Sequence, residues 1–232
     1  MNAVIKLFQL FNFSISFLFG NSLNEKKLLT KYIKDFKIVY FDIGANVGND
    51  ISKIFKVFKS RDLEVHAFEP IESLANLLKD KYPNIKVNNL AISDKKGVEM
   101  FYERKISSQS SFSQNIDTPL ENIEAQYETN TETLKNYIIN NQIEKIDFLR
   151  IDTEGHDFEA LGSLEKFNDY VHINMIKIEC LFKDPKFRNN SLFVKILNYM
   201  NENDFEIIGI PNLKHIENEI FLADLYFKNK NL

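Results

Sequence analysis

Short apolar runs alternate with stretches of helical period along most of this chain. Residues 38–42, 65–69, 85–92 and 146–152 are apolar runs bounded by turn formers, the size of buried strands. Between them, residues 47–59 put Ile51, Ile54, Phe55 and Phe58 on one helical face. A helix starting at Pro70 carries Leu74, Leu77 and Leu78 as its stripe, and Pro83 stops it. Residues 93–97 form a turn, and 98–102 alternate as a short strand. From 107 to 131 the pattern disappears into Ser, Gln, Asn, Glu and Thr, which predicts a long loop that is a functional cover or disordered. Regularity returns with a helix over 134–141, the strand 146–152, a helix near 157–167, a strand over 173–180, a helix near 192–201, and closing strands over 205–210 and 220–228. Strands alternating with helices predict an α/β fold with a mostly parallel sheet, and the hairpin-like end predicts an antiparallel edge strand.

The front of the chain reads differently. Residues 7–24 carry no charge and are rich in Phe, which gives length for a marginal span. At 100° per residue, however, Lys6, Gln9, Asn12 and Ser16 share one arc of a helix opposite the large apolar residues. The segment therefore reads as an amphipathic helix docked on the domain, with an interfacial membrane helix, and after it a span or signal, as the alternatives. Residues 26–34 are a short polar helix or linker. The expected division is an N-terminal helix and linker over 1–34 and one domain over 35–232.

Composition narrows the class. The formal net charge of −4, with no dense basic block, argues against nucleic acid as a partner. Cys180 is the single cysteine, so no internal disulfide can form. That fits a reducing compartment and predicts a cytoplasmic protein, membrane-associated if the N-terminal helix is interfacial.

The chemistry concentrates at strand ends. The first strand runs into Asp42, and Gly44, Asn46 and Gly48 follow before a helix begins. Glycines at such a turn permit close approach to the backbone, and the helix that follows offers free N–H groups. Glu69 closes the second strand, where a carboxylate reaches the hydroxyls of a ribose. The spacing is neither the dinucleotide fingerprint nor a triphosphate loop. A carboxylate at Asp42 would repel a diphosphate and attract a sulfonium or an amino group. S-adenosylmethionine carries both cations and a ribose without phosphate, so charge favours it over NAD or ATP.

Asp152-Thr153-Glu154-Gly155-His156 ends the fourth parallel strand, and Glu179 ends the fifth. Ligands in such folds lie outside the carboxyl ends of strands, so these acids would share one rim with Asp42 and Glu69. A methyl acceptor's hydroxyl must lose a proton there. His156 titrates near neutrality and is a candidate base, with Asp152 and Glu154 as alternatives. The same acids would otherwise cap a helix N-terminus. They could also bind a divalent cation, but no metal-ligand spacing is compelling, and work without metal is favoured.

These residues carry a resemblance. The stretches 41–48, 68–70, 91–94, 151–155 with Gly162 beyond, 178–179 and 224–228 resemble the FkbM family of methyltransferases over roughly residues 38–228. The resemblance implies a Rossmann-like class I methyltransferase fold with a seven-stranded sheet, S-adenosylmethionine as donor, and O-methylation of a hydroxyl on a sugar, glycan, glycolipid or secondary metabolite. It implies that Asp42, Gly44, Asn46 and Gly48 line the methionine side, that Glu69 takes the ribose, that Ser93 and Asp94 lie near the adenine, and that Asp152 and Glu154 lie at the reaction centre. Residues 107–113 resemble a serine-rich cover of the family, and His156 matches a variable position. The contrasting readings are a catalytically inactive binding protein with a Rossmann-like core and an NAD-dependent oxidoreductase. The missing third glycine speaks against the oxidoreductase.

Overall fold

The computed structural model describes residues 25–105, 110, 112, 123–181, 192–210, 213–216 and 219–232. The expected N-terminal amphipathic helix lies outside these residues, as do all of the serine-rich stretch except positions 110 and 112. No helix among the described residues is long and apolar enough to cross a membrane.

Helix α1 (Glu25–Tyr32) precedes strand β1 (Lys37–Ile43). Helix α2 (Asn49–Val57), strand β2 (Asp62–Phe68), helix α3 (Glu72–Lys81) and strand β3 (Lys86–Asn88) follow. After the small strands β4 (Ala91–Ile92), β5 (Gly97–Arg104) and β6 (Ile123–Glu132) come helix α4 (Leu134–Asn140), strand β7 (Lys145–Ile151) and helix α5 (Asp157–Gly162). The chain closes with β8 (His172–Leu181), α6 (Leu192–Glu202), β9 (Phe205–Gly209), β10 (Leu213–Ile216) and β11 (Glu219–Asn229).

The main sheet runs β10-β11-β8-β7-β1-β2-β3, with β9 also paired to β11. Strands β3, β2, β1, β7 and β8 are parallel, and β11 is antiparallel to both β8 and β9. Because β9 and β10 pair with successive stretches of β11, eight strands fill seven positions. The chain winds outward from β1 to β3 on one side and from β7 onward on the other, so the topological switch point lies between β1 and β7. In open sheets that is where ligands bind.

Strand β1 shows why the sheet is buried on both faces. Its alternate residues Ile38 and Tyr40 join a core with α1, α2 and α3, while Phe41 and Ile43 join the opposite core with α4, α5 and α6. A strand covered on both faces is apolar throughout instead of alternating. Helix α4 is too short to stand alone. It is held by buried Leu134, Tyr137 and Ile138, and Thr133 caps it by accepting the Asn136 N–H at 3.1 Å.

Four expected elements come out differently. The run 85–92 is two strands in two sheets. The Asn88 side chain donates to the Ala67 carbonyl, and Asn89 donates to those of Glu69 and Pro70, which ends β3 and hands the chain to the smaller sheet. That sheet, ordered β4-β6-β5, takes the last nine residues of the expected 107–131 loop and Glu132 beyond it into pairing as β6. Its alternation is real: Thr129 and Thr131 are buried while Glu124, Gln126, Glu128 and Asn130 are exposed. The buried Thr129 and Thr131 are too small and polar to stand out as a hydrophobic period. Finally, Leu77 of α3 is 42% exposed, and Ile71, Ala75 and Leu78 make the buried stripe. α5 also stops at Gly162, short of Phe167, which lies in a 3-10 turn.

Candidate active site

The turn after β1 bends through left-handed backbone at Gly44 (φ 82°), Asn46 (φ 48°) and Gly48 (φ 77°). A side chain at position 44 would put its Cβ 2.0 Å from the Asp152 carbonyl oxygen. The glycine is thus required by the approach of β1's turn to the end of β7, not only by room for a ligand. At Gly48 the neighbours are side-chain atoms of Leu78 and Tyr82 instead of backbone. The Gly44 and Ala45 N–H groups donate to the Phe68 carbonyl, both at 3.0 Å, tying the turn to the end of β2.

Glu69 stands just past that end, and it is buried. One of its oxygens accepts the Asn46 N–H at 2.7 Å and the other the Ile71 N–H at 2.9 Å. Burial nevertheless pushes its carboxyl up to about 7, against the pull of these two bonds.

Gly44, Asn46 and Glu69 open on a cleft of about 650 Å³, counting its mouth. Asp152, Thr153 and Glu154 form its far rim, and Arg150 lies beneath them. Leu90, Ala91, Ile92 and Phe101 supply an apolar wall. Glu154 takes a left-handed φ of 55° beside Gly155 at 96°, an uncommon conformation for a residue other than glycine. Asp157 enforces that loop: its carboxylate accepts the N–H groups of Thr153 at 2.8 Å and Gly155 at 3.1 Å.

The expected acids do converge. Carboxylate oxygens of Asp152, Glu154 and Glu179 lie within 4.8 Å of one another. Burial, and then the charges of Asp152, Asp157, Glu154 and Asp224, push the Glu179 carboxyl well up. Burial and the charge of Asp152 do the same to Asp157.

Other expected residues stand back from the cleft. Asp42 is fully buried and does not line it. Its Oδ1 accepts from Arg150 Nη1 at 2.8 Å, and burial raises its carboxyl against that pull. Gly48 packs against α3. Ser93 is buried behind the apolar wall, with its Oγ 3.0 Å from His156 Nε2 and donating to Glu99 at 3.1 Å. Asp94 is exposed. His156, expected as a candidate base, spends its Nε2 on Ser93 and packs at 4.8 Å against the Phe112 ring.

The family model of the methyltransferase FkbM domain matches residues 42–207. The chain belongs to this family. No curated protein matches it. Among solved structures, the chain is similar to an FkbM methyltransferase from Methylobacillus flagellatus, with TM-score 0.54 and 15% identity over 84% of this chain and 45% of that one. It therefore spans less than half the length of that protein, and the likeness is one of fold. It is also similar to M. capricolum TrmK in complex with S-adenosylhomocysteine (TM-score 0.46, 12% identity, 90% of this chain and 69% of that). Aeropyrum pernix fibrillarin with natively bound S-adenosylmethionine is a further one (TM-score 0.46, 11% identity, 88% of this chain and 73% of that).

In this FkbM-family chain, two site residues went unread in the sequence. Arg150 is the cation of the site, and Asp157 shapes the rim loop. The signal for Arg150 was present: a cation inside the apolar run 146–152 must find buried partners. Asp157 had none beyond its place at the start of a helix.

Proposed function

We propose that this chain is an S-adenosylmethionine-dependent methyltransferase whose acceptor is a hydroxyl of a sugar, glycan, glycolipid or small metabolite. The observation that carries this reading is the meeting, in one cleft, of the Gly44–Asn46 turn, the Glu69 carboxylate and the acids Asp152 and Glu154. The residues fit the donor. Glu69 keeps lone pairs for two ribose hydroxyls beyond its backbone bonds. Ile71, Leu90 and Ile92 offer an apolar seat for the adenine, and Ser93 and Asp94 follow Ile92 in the chain without lining the cleft. The Gly44–Asn46 turn faces the methionine end. Asp42 and Gly48 act on the shape of that turn, and Asp42 does so through Arg150.

Charge supports the same donor. Asp42, Asp50 and Asp152 surround the guanidinium of Arg150, and Glu154 adds to the rim. Carboxylates outnumber cations here, so the cleft favours a cationic ligand and repels phosphate. When bound, the donor supplies an electrophilic methyl group on sulfur. Asp152 and Glu154 orient the acceptor hydroxyl, and one of the two takes its proton. Glu179, its carboxyl pushed up by burial and neighbouring acids, supplies a hydrogen-bond donor to the same cluster. His156 holds Ser93 and Phe112 in place.

Mass spectrometry of small molecules released by heating the purified protein tests this reading. S-adenosylmethionine or S-adenosylhomocysteine is the expected finding, whereas NAD would overturn it. Donor binding without turnover on any polyol or glycan of a broad panel would favour the inactive binding protein.

A further inference from the structure

Arg150 stands one residue before the end of β7, level with Asp42 on β1 and Lys177 on β8. It is buried, yet its edge reaches the cleft. Its guanidinium touches four separate pieces of the fold. Nη1 donates to Asp42 Oδ1 at 2.8 Å and to the Gly44 carbonyl at 3.0 Å. Nη2 donates to Asp152 Oδ2, and Nε lies 3.1 Å from Asp50 Oδ2 in the first turn of α2. A planar fork of five N–H donors can serve partners in several directions at once; an ammonium group on a flexible stem cannot hold the same set.

Two of these partners belong to different halves of the site. The Gly44 carbonyl is part of the turn assigned above to the donor, and Asp152 is part of the rim assigned to the acceptor. We propose that Arg150 is a positioning residue that couples the two halves, holding the donor turn in its binding shape while Asp152 anchors the other arm of the guanidinium. This rests on the methyltransferase reading and adds to it that donor affinity depends on a rim carboxylate through Arg150. Occupation of the rim by an acceptor that engages Asp152 would then alter donor affinity, and reciprocally.

Calorimetric titration of the full chain with S-adenosylhomocysteine tests the coupling by double-mutant cycles. Arg150→Gln and Arg150→Lys are each expected to weaken binding by about tenfold, and Asp152→Ala by about fivefold. In either Arg150 background, Asp152→Ala is expected to cost under about 1.5-fold. A merely structural arginine would lower the melting temperature and leave the two effects additive. If Arg150→Gln does not fold, the Arg150→Lys cycle carries the same readout. Additive effects, or wild-type affinity in Arg150→Lys, would overturn the proposal. A wild-type chain that binds no S-adenosylhomocysteine would overturn the methyltransferase reading and the coupling with it.

Discussion

Asp42 and Arg150 face each other across β1 and β7 as a buried ion pair, Oδ1 to Nη1 at 2.8 Å, directly below the cleft. The pair changes the meaning of the carboxylate that ends the first strand. Read from sequence, Asp42 meets the donor's cations itself. In the fold it is paired and sealed from the cleft, and it shapes the turn above.

Asp42→Ala is therefore first a stability mutation. Removing one partner of a buried pair costs up to roughly 3–5 kcal/mol, and here Asp50 and Asp152 stay on the guanidinium, so the loss falls toward the lower end of that range. Urea unfolding should show that loss. A change within about 0.5 kcal/mol would mean that the pair is not sealed from solvent as described.

The two glycines of the turn should separate. Gly44→Ala forces a Cβ onto the Asp152 carbonyl oxygen, at a φ of 82°. Gly48→Ala meets only side-chain atoms at 2.8 and 2.9 Å, at a similar φ. The left-handed backbone alone costs about 1–2 kcal/mol at either position. Gly44→Ala should exceed that clearly, and Gly48→Ala should stay near it. Equal losses in denaturant unfolding would contradict the close approach of β1's turn to β7.

Much of this was legible beforehand. Buried parallel strands announce themselves as continuous apolar runs, and β1, β2, β7 and β8 all appear within a few residues of their expected bounds. The rim acids were also readable, since any carboxylate ending such a strand arrives at the same edge of the sheet. Strand β6 was not, because Thr129 and Thr131 point inward where a hydrophobic period would need larger apolar residues. Nor was the engagement of His156 with Ser93, which joins residues 63 positions apart. Sequence neighbours say which residues reach the rim; only the packed fold says which of them are spent on one another.

Glu69 should leave a signature in stability against pH. Its carboxyl is raised from 4.5 to about 7 in the folded chain. The folded state thus holds a proton that the unfolded state releases, and this contribution is full below pH 4.5 and lost as pH rises through 7. Glu69→Gln removes the titration. The stability of Glu69→Gln relative to wild type should therefore rise between pH 5 and 8, by up to about 3 kcal/mol. Comparing the two proteins cancels buried groups of opposite sign, such as His66, whose proton affinity burial lowers. A pH-independent difference in melting curves would show that Glu69 is already ionised.

Chemistry at the rim divides the metal-free and metal-bound readings. With an acceptor in hand, Glu154→Gln should lower the rate by ~10²-fold while S-adenosylhomocysteine affinity holds. Chelators should change the rate little. Loss of turnover on chelation, restored by Mg²⁺, would make the 4.8 Å cluster of Asp152, Glu154 and Glu179 a cation site instead.

The central claim is that the cleft between the ends of β1, β2 and β7 holds the methyl donor. A crystal structure of the full chain soaked with S-adenosylhomocysteine tests it most directly. Ribose hydroxyls are expected within about 3 Å of the Glu69 carboxylate, with the homocysteine end over Gly44–Asn46 and the sulfur facing Asp152 and Glu154. Density for the ligand elsewhere, or a ribose with no contact to Glu69, would contradict it.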